Sequence, residues 1–342
     1  GNEIVRKWIS YFPKATESAK PEIIAMLARR GSEEAIPLIA SSLESQNVSV
    51  RNEAAAALSA VLGNKAAQDL IEYIRRNPDP ADQEAGRKAL MTVAGNNEIA
   101  LLRPLLISGP DAARVSAIEL MAWNRNPEYF KDVIPFTASE NENVKAAAYK
   151  ALSNLVSSSD QSELIKLISA TEKVQYVEDV QDALRSAALK IENPERRSDE
   201  ILKAVRNGIS PVKLIPVLAA TGGKEALAVV LGEFEKGNPE MRDVCFKTLT
   251  SWRDYDASSA LFEIVSSRNK TYEAPAFQGY LKQISQASLP AEQKLLYYKK
   301  IMPYALDSDR KNQVIAETGK LKTYQALFFV GDYLDDPSTS AA

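Results

Sequence analysis

A leucine recurs along this chain at nearly constant spacing. The steps between successive members are 31, 32, 30, 32, 32, 34, 31 and 32 residues. A period of this size is typical of proteins built from stacked repeats, in which each repeat buries its apolar face only against its neighbours. The spacing therefore predicts one elongated array rather than a globule around a catalytic cleft. The nine positions are Leu27, Leu58, Leu90, Leu120, Leu152, Leu184, Leu218, Leu249 and Leu281.

The residues around three of these leucines follow helical spacing. In residues 50–61 a valine, an alanine, a second alanine and the leucine form one apolar stripe, and residues 144–155 and 241–252 repeat the pattern. An asparagine stands three residues before each pattern, and asparagine is a strong N-cap. The pattern therefore predicts three helix starts with a shared cap. The predicted N-caps are Asn47, Asn141 and Asn238.

Another apolar helical segment precedes each of these helices. Pro104 and Pro135 lie inside two such segments and should bend or interrupt them. Turn-forming residues at 63–65 and 77–80 separate successive segments. Each repeat is therefore predicted to be a helical hairpin. The predicted fold is all-α, an α-solenoid of about ten hairpins plus a terminal helix.

These features resemble the HEAT and HEAT-like repeats, which form armadillo-like superhelices. The resemblance rests on Pro104 and Pro135 in first helices, and on the asparagine, the basic residue and the alanine-leucine pair of second helices. In that family the basic residue commonly joins a ladder of polar contacts between repeats. The resemblance therefore implies structural roles for Arg51, Lys145 and Arg242.

The repeat predicts a single solenoid over residues 1–342, with a bend near 192–223, where the leucine step lengthens to 34. The chain is expected to be a segment of a longer protein. Residues 335–342 have the cap chemistry of a new helix, because Asp336 precedes Pro337. An incomplete last layer would expose apolar groups around residues 327–329 and favour weak self-association through the C-terminal end.

Composition excludes several classes of function. Histidine is absent, and the lone Cys245 excludes an intrachain disulfide and a multi-cysteine metal site. The first 171 residues carry 19 Lys and Arg against 21 Asp and Glu, and the remainder 23 against 24. That balance argues against nucleic acid, which requires a basic patch. No apolar run is long enough to span a bilayer. We therefore expect no metal, no cofactor, no nucleic acid and no membrane insertion.

Three motifs suggest chemistry but have simpler interpretations. Cys245 occupies the small apolar position of its repeat, as Ala54 does in an earlier one, and is expected to be a core thiol. Residues 221–224 end like a phosphate-binding loop but lack its first glycine and its Ser or Thr, so they are predicted to be a turn between helices. The adjacent acids at 33–34 and 178–179 do not face one another on a helix. No catalytic residue is assigned.

The favoured function is a non-enzymatic scaffold that presents an extended surface to a protein or to an attached domain of the same polypeptide. In HEAT-like arrays the exposed side of the second helices lines the concave face. Here that side mixes small, apolar and charged residues of both signs, which suits a protein better than a polyanion. The candidate partner-binding residues are Lys88, Met91, Arg114, Met121, Lys150 and Lys247.

Other functions implied by resemblance stay open. The chain looks like the HEAT-like arm of a secreted carbohydrate-active enzyme, fused to a domain related to 3-keto-disaccharide hydrolases. That resemblance implies a periplasmic or secreted protein with its catalytic residues outside this chain. A relationship to bilin lyases or alkyl-DNA glycosylases is a third alternative, and the acidic balance argues against the latter.

Overall fold

The computed structural model describes residues 2–336 and 339. Within them the chain consists of α-helices, short 3₁₀ helices and turns, and no β-strand is present. This confirms the predicted all-α class. The helices group into two compact units, Gly1–Ser157 and Ser158–Ala342.

The first unit is built from helical hairpins in which a first helix packs on the second helix that follows, α3 on α4, α5 on α6, α8 on α9 and α10 on α11. The second helices α2, α4, α6, α9 and α11 also pack side by side, α4 against α2 and α6, and α9 against α6 and α11. Its helices are α1 (Asn2–Tyr11), α2 (Lys20–Arg29), α3 (Ile36–Ser42), α4 (Val48–Leu62), α5 (Ala67–Arg76), α6 (Pro80–Val93), α7 (Asn96–Ala100), α8 (Arg103–Ser108), α9 (Asp111–Asn124), α10 (Phe130–Val133) and α11 (Glu142–Leu155).

The second unit repeats this arrangement. Its second helices α13, α15, α17 and α19 pack in sequence, and the first helices α12, α14, α16 and α18 each pack on the second helix that follows. Its helices are α12 (Gln161–Ala170), α13 (Val174–Leu189), α14 (Asp199–Arg206), α15 (Pro211–Thr221), α16 (Lys224–Lys236), α17 (Pro239–Thr250), α18 (Ser258–Ser266), α19 (Glu273–Gln286), α20 (Ala291–Ile301), α21 (Ser308–Gly319) and α22 (Tyr324–Gly331).

The three predicted asparagine caps are confirmed. Each asparagine lies in the extended region immediately before its helix, and its side-chain oxygen accepts a hydrogen bond from a backbone N–H of the first turn. The distances are 2.9 Å from Ser49 to Asn47, 3.0 Å from Asn143 to Asn141 and 2.8 Å from Met241 to Asn238. Each cap satisfies an N–H group that has no partner inside its helix.

The predicted proline interruptions are also present. Pro104 lies at the start of α8, so that its first helix is divided into α7 and α8. Pro135 lies in a 3₁₀ segment, Ile134–Ala138, that follows the short α10. A proline lacks the N–H that would continue the helical ladder, and in both hairpins the first helix is therefore short and irregular.

All nine period-defining leucines are buried, and none exceeds 5% exposure. They lie where second helices meet their neighbours, and full burial of a leucine side chain stabilises a fold by about 1.5–3 kcal/mol. Packed hairpins that bury this ladder make each unit an α-solenoid, as the period predicts.

Two further expectations, a bend near residues 192–223 and a helix that begins at 335–342, stay predictions. The predicted bend region, residues 192–223, lies inside the second unit around α14 and α15. The helix predicted to begin at 335–342 falls mostly on residues 337, 338 and 340–342, which lie outside the described residues, while Asp335 forms a turn after α22.

Candidate functional site

A groove runs between α4 and α6 on the exposed side of the second helices of the first unit. Its volume is about 680 Å³, within the range of small-molecule and peptide sites. Small residues make most of its floor, so a partner can approach the helix backbones closely. The lining residues are Asn52, Ala56, Ser59, Ala60, Ala81, Glu84, Ala85, Lys88, Ala89, Thr92 and Val93.

A second groove, of about 350 Å³, lies between α9 and α11. Met91 of α6 contributes to it, and Met91 lies three residues after Lys88 of the first groove, on the same side of α6. The two grooves therefore open on one face, which we call the second-helix face. The lining residues of this groove are Met91, Glu119, Ala122, Trp123, Arg125, Ala147, Lys150, Ala151 and Asn154.

The charges on this face are partly neutralised. Lys88 pairs with Glu84 one turn away at 2.5 Å, and Arg87 pairs with Glu119 at 3.0 Å across α6 and α9. Hydrogen bonding to Lys88 lowers the pKa of Glu84, which keeps its carboxylate ionised. The Lys88 pair is exposed and the Arg87 pair is half-buried, so the first determines the local charge of the face more than it stabilises the fold.

Beneath the first groove lies a buried polar cluster. Asp82 is fully buried in α6, and its carboxylate accepts hydrogen bonds from Arg51 of α4 at 2.5 Å and from the Tyr73 hydroxyl at 2.5 Å. The Tyr73 hydroxyl also lies 2.8 Å from Oδ1 of Asn52, a residue that lines the groove. Burial raises the pKa of Tyr73, with further contributions from the bond to Asp82 and its charge. The hydroxyl is therefore a permanent donor.

The polar contacts continue from α6 to α9. Gln83 donates to the carbonyls of Ile74 and Asn77 at the end of α5, and its own oxygen accepts from Ser116 at 2.7 Å. Ser116 in turn accepts from Arg87 at 2.7 Å. These bonds join successive second helices, so the grooves rest on a floor held in place by hydrogen bonds.

Arg114, one of the predicted partner-binding residues, has a structural role. It is the fourth residue of α9, and its guanidinium donates to the carbonyls of Leu106 and Ile107 at the end of α8. Arg51 is the fourth residue of α4 and caps the carbonyls of Ser45 and Gln46 in the same way.

The equivalent residue in the second unit, Arg242, bonds to the carbonyl of Glu235. The contact between repeats implied for these residues is therefore observed for Arg51, which also bonds to Asp82 of α6, whereas Arg242 bonds within its own hairpin. Lys145, at the same place in α11, forms no such bond within the described part of the chain. The shorter reach of a single ammonium group compared with a guanidinium fork is consistent with this difference.

The prediction that Met121 lies on the surface is wrong, because its side chain is fully buried. Met121 is the eleventh residue of α9, the place that Leu58 holds in α4 and Leu152 in α11, whereas Leu120 is the tenth. One residue rotates the helix face by about 100°. Met121 is thus the true ladder residue of this repeat, and Leu120 takes the place of the preceding alanine.

The remaining candidates occupy different places. Lys88 lines the first groove, and Met91 and Lys150 line the second. Lys247 is an exposed residue of α17, in the second unit. The structure therefore brings Met91 and Lys150 together, places Lys88 beside them, and leaves Lys247 in a separate unit.

Sequence reasoning missed Trp123 and Arg125. Trp123 is 42% exposed and lines the second groove, although it stands three residues after Leu120, where the repeat pattern places a core residue. Counting from Met121 instead places Trp123 two residues after the ladder position and so on the exposed side. An alignment on helix starts rather than on leucines is the signal that finds it.

The motifs judged non-functional have the expected structures. Cys245 is fully buried, and burial raises the pKa of its thiol to about 12, so it is a core residue. Residues 222 and 223 form the turn between α15 and α16. Within residues 2–336 and 339, no three acidic or cysteine side chains form a group that could hold a metal ion. Over the same residues, none of the helices combines the length and apolar character of a membrane crossing.

Comparison with known families gives one result for this architecture. Residues 6–91, which cover α2 to α5 with most of α1 and α6, match the family model described as HEAT repeats. A comparison with curated proteins found no match. The matched segment contains the first groove almost completely.

Proposed function

This chain is a HEAT-like repeat protein, and from that premise we propose that it is a non-enzymatic scaffold whose second-helix face binds a segment of another protein. HEAT repeats generally serve as protein-interaction scaffolds. The observation that carries the proposal is the pair of grooves that open side by side across α4, α6, α9 and α11.

The chemistry of the first groove supports a polypeptide ligand. Its floor is formed by small residues such as Ala56 and Ala60, and its walls carry the amide of Asn52 and the hydroxyl of Thr92. A polypeptide offers both apolar side chains and backbone groups that match such a surface. Stable protein interfaces bury about 800 Å² on each partner, which requires a contact larger than one groove. A partner would therefore span both grooves.

The partner can be a separate protein or another domain of the same polypeptide. Photocross-linking tests both sources. A photoreactive amino acid is placed at Ala60 or Ala85, in the first groove, and at the 81% exposed Ile107 of α8 as a control away from that face. The modified chain is expressed in its source cells at native level, in the full-length gene product.

We expect the same cross-linked polypeptide from Ala60 and Ala85, and none from Ile107. Replacement of Ala56 by Arg should abolish the product, because the exposed Ala56 borders the groove and a long side chain would fill it without disturbing the core. A product of equal yield from Ile107, or one that persists with Ala56→Arg, would contradict the proposal.

A further inference from the structure

The groove between α9 and α11 carries an uncompensated positive charge. Arg125 and Lys150 line it and are exposed, and neither has a partner in the described part of the chain. The one acid among its lining residues, Glu119, is already paired with Arg87. The free charges of this groove are therefore two cations.

The same groove has an apolar centre. Trp123 is 42% exposed, and Met91, Ala122, Ala147 and Ala151 line the same groove. An exposed tryptophan in a concave site is a frequent energetic anchor of protein interfaces, and methionine adapts to varied apolar partners. The groove can therefore hold one apolar side chain flanked by cations.

Arg125 adopts a backbone conformation that residues with a side chain seldom adopt. It ends α9 in the left-handed region, with φ 59° and ψ 22°, where glycine or asparagine is the usual residue. A side chain there costs about 1 kcal/mol relative to glycine. An arginine kept at such a cost beside a groove is consistent with a role for its charge.

We propose that this groove binds a short acidic segment of a partner protein, with one apolar or aromatic side chain against the apolar lining that includes Trp123 and Met91, and carboxylates beside Arg125 and Lys150. The inference rests on the proposed function of the second-helix face and adds the chemistry of its ligand. Charge complementarity favours this occupant, since a basic segment would meet two unpaired cations. Two cations are too few for the counterion release that supports nucleic-acid binding.

Selection from a library of short random peptides tests the proposal without a known ligand. The intact chain is used beside the double variant Arg125→Glu, Lys150→Glu. A matched control, Lys131→Glu, changes an exposed lysine of α10, a first helix of the same unit. Binding of the enriched peptides is then measured by fluorescence anisotropy, in low and in high salt.

We expect enrichment of peptides that carry Asp or Glu beside an aliphatic or aromatic residue. Charge reversal at both cations should weaken their binding at least about ten-fold, because two attractions become repulsions, and Lys131→Glu should leave it unchanged. Trp123→Ala should weaken binding without altering its salt dependence.

Peptides without an acidic bias, duplex DNA bound as tightly as the acidic peptides, or binding that survives the double reversal would overturn the inference. The cross-link from Ala60 and Ala85 is read out separately, since that groove contains neither cation. A retained cross-link with no acidic enrichment would reject the ligand chemistry while leaving the scaffold function standing.

Discussion

The carboxylate of Asp82 is completely buried, and it accepts a hydrogen bond of 2.5 Å from the guanidinium of Arg51 in the preceding second helix. This pair joins two successive repeats at the HEAT-matched end of the chain. The Tyr73 hydroxyl completes the coordination of the carboxylate. A buried carboxylate with these partners fixes the position of α4 relative to α6. Removal of one partner is costly, because the other is then a buried polar or charged group without a partner.

Replacing Asp82 with Ala should therefore lower the free energy of unfolding by about 3–5 kcal/mol, because Arg51 and Tyr73 lose their shared acceptor. Urea denaturation followed by circular dichroism measures the change. Glu84→Ala is the matched control on the same helix, since its pairing with Lys88 is exposed to solvent and should contribute little to stability. Similar costs for the two variants would show that the buried pair contributes no more than a surface pair.

The corrected register of α9 gives a second prediction. Met121→Ala should cost about 2–5 kcal/mol, because Met121 is a fully buried ladder residue whose loss leaves a cavity between second helices. Met91→Ala should cost under about 1 kcal/mol, since Met91 lines an open groove. Thermal or urea denaturation compares the two, and a larger loss for Met91 would show that the register is assigned wrongly.

Arg125→Gly separates binding from stability. Glycine adopts the left-handed conformation without steric cost, so this variant should be more stable by about 0.5–1 kcal/mol while it loses one of the two free cations. Asn126→Gly, one residue further in an extended conformation, is the control and should not stabilise the fold. A destabilised Arg125→Gly would indicate that the arginine side chain makes contacts that support the helix end.

The pKa of Cys245 predicts a pH dependence. Burial raises the pKa of this thiol from 9.0 to about 12, and burial likewise raises that of Tyr298 from 10.0 to about 12. Both groups prefer the protonated form in the folded state, so their contribution is complete below the unfolded pKa values and is lost as pH rises above about 9. The midpoint of thermal or urea denaturation should therefore decrease as the pH rises above about 9.

Iodoacetamide should label Cys245 only in denaturant, and rapid labelling of the native chain would contradict its burial.

The self-association predicted for the apolar patch at residues 327–329 can be tested at an exposed residue of that patch. Leu327 and Phe328 are 67% and 74% exposed on α22, whereas Phe329 is 8% exposed and packs on Tyr333. Phe328→Glu should weaken any concentration-dependent association in sedimentation velocity, because it places a charge in the centre of the exposed apolar face. Ile107→Glu, at an equally exposed residue of α8, should have no effect. A chain that is monomeric at high concentration would disprove self-association.

Local sequence patterns predict much of the fold. The leucine period predicted the packed hairpins, and Asn47, Asn141 and Asn238 cap helices because a side chain that satisfies a backbone N–H is a local interaction. Asp82 could not be recognised in this way. In the sequence Asp82 is an ordinary acidic residue of the first turn of a helix. Its burial depends on contacts with Arg51 and Tyr73, which come from two other helices.

The candidate site was harder to predict for a related reason. Met121 and Leu120 are adjacent apolar residues, and their order relative to the helix start decides which side of α9 faces outward. That decision also determines the exposure of Trp123. The left-handed conformation of Arg125 carries no sequence signature, because glycine and asparagine are the residues associated with it. Grooves assembled from several helices depend on packing that a single period does not specify.

The bonds made by the arginine at the fourth position of three second helices have a consequence for how such an array changes length in evolution. Arg51, Arg114 and Arg242 each join a second helix to the first helix of their own hairpin or to the loop that follows it, so these bonds are kept when a gene segment that encodes the whole hairpin is duplicated or deleted. The bond from Arg51 to Asp82 crosses to the next hairpin and does not travel with either one alone. Removal of α5 and α6 would leave the guanidinium of Arg51 without its carboxylate partner. Hairpins that lack such a bond to the next repeat can be inserted or deleted without this loss.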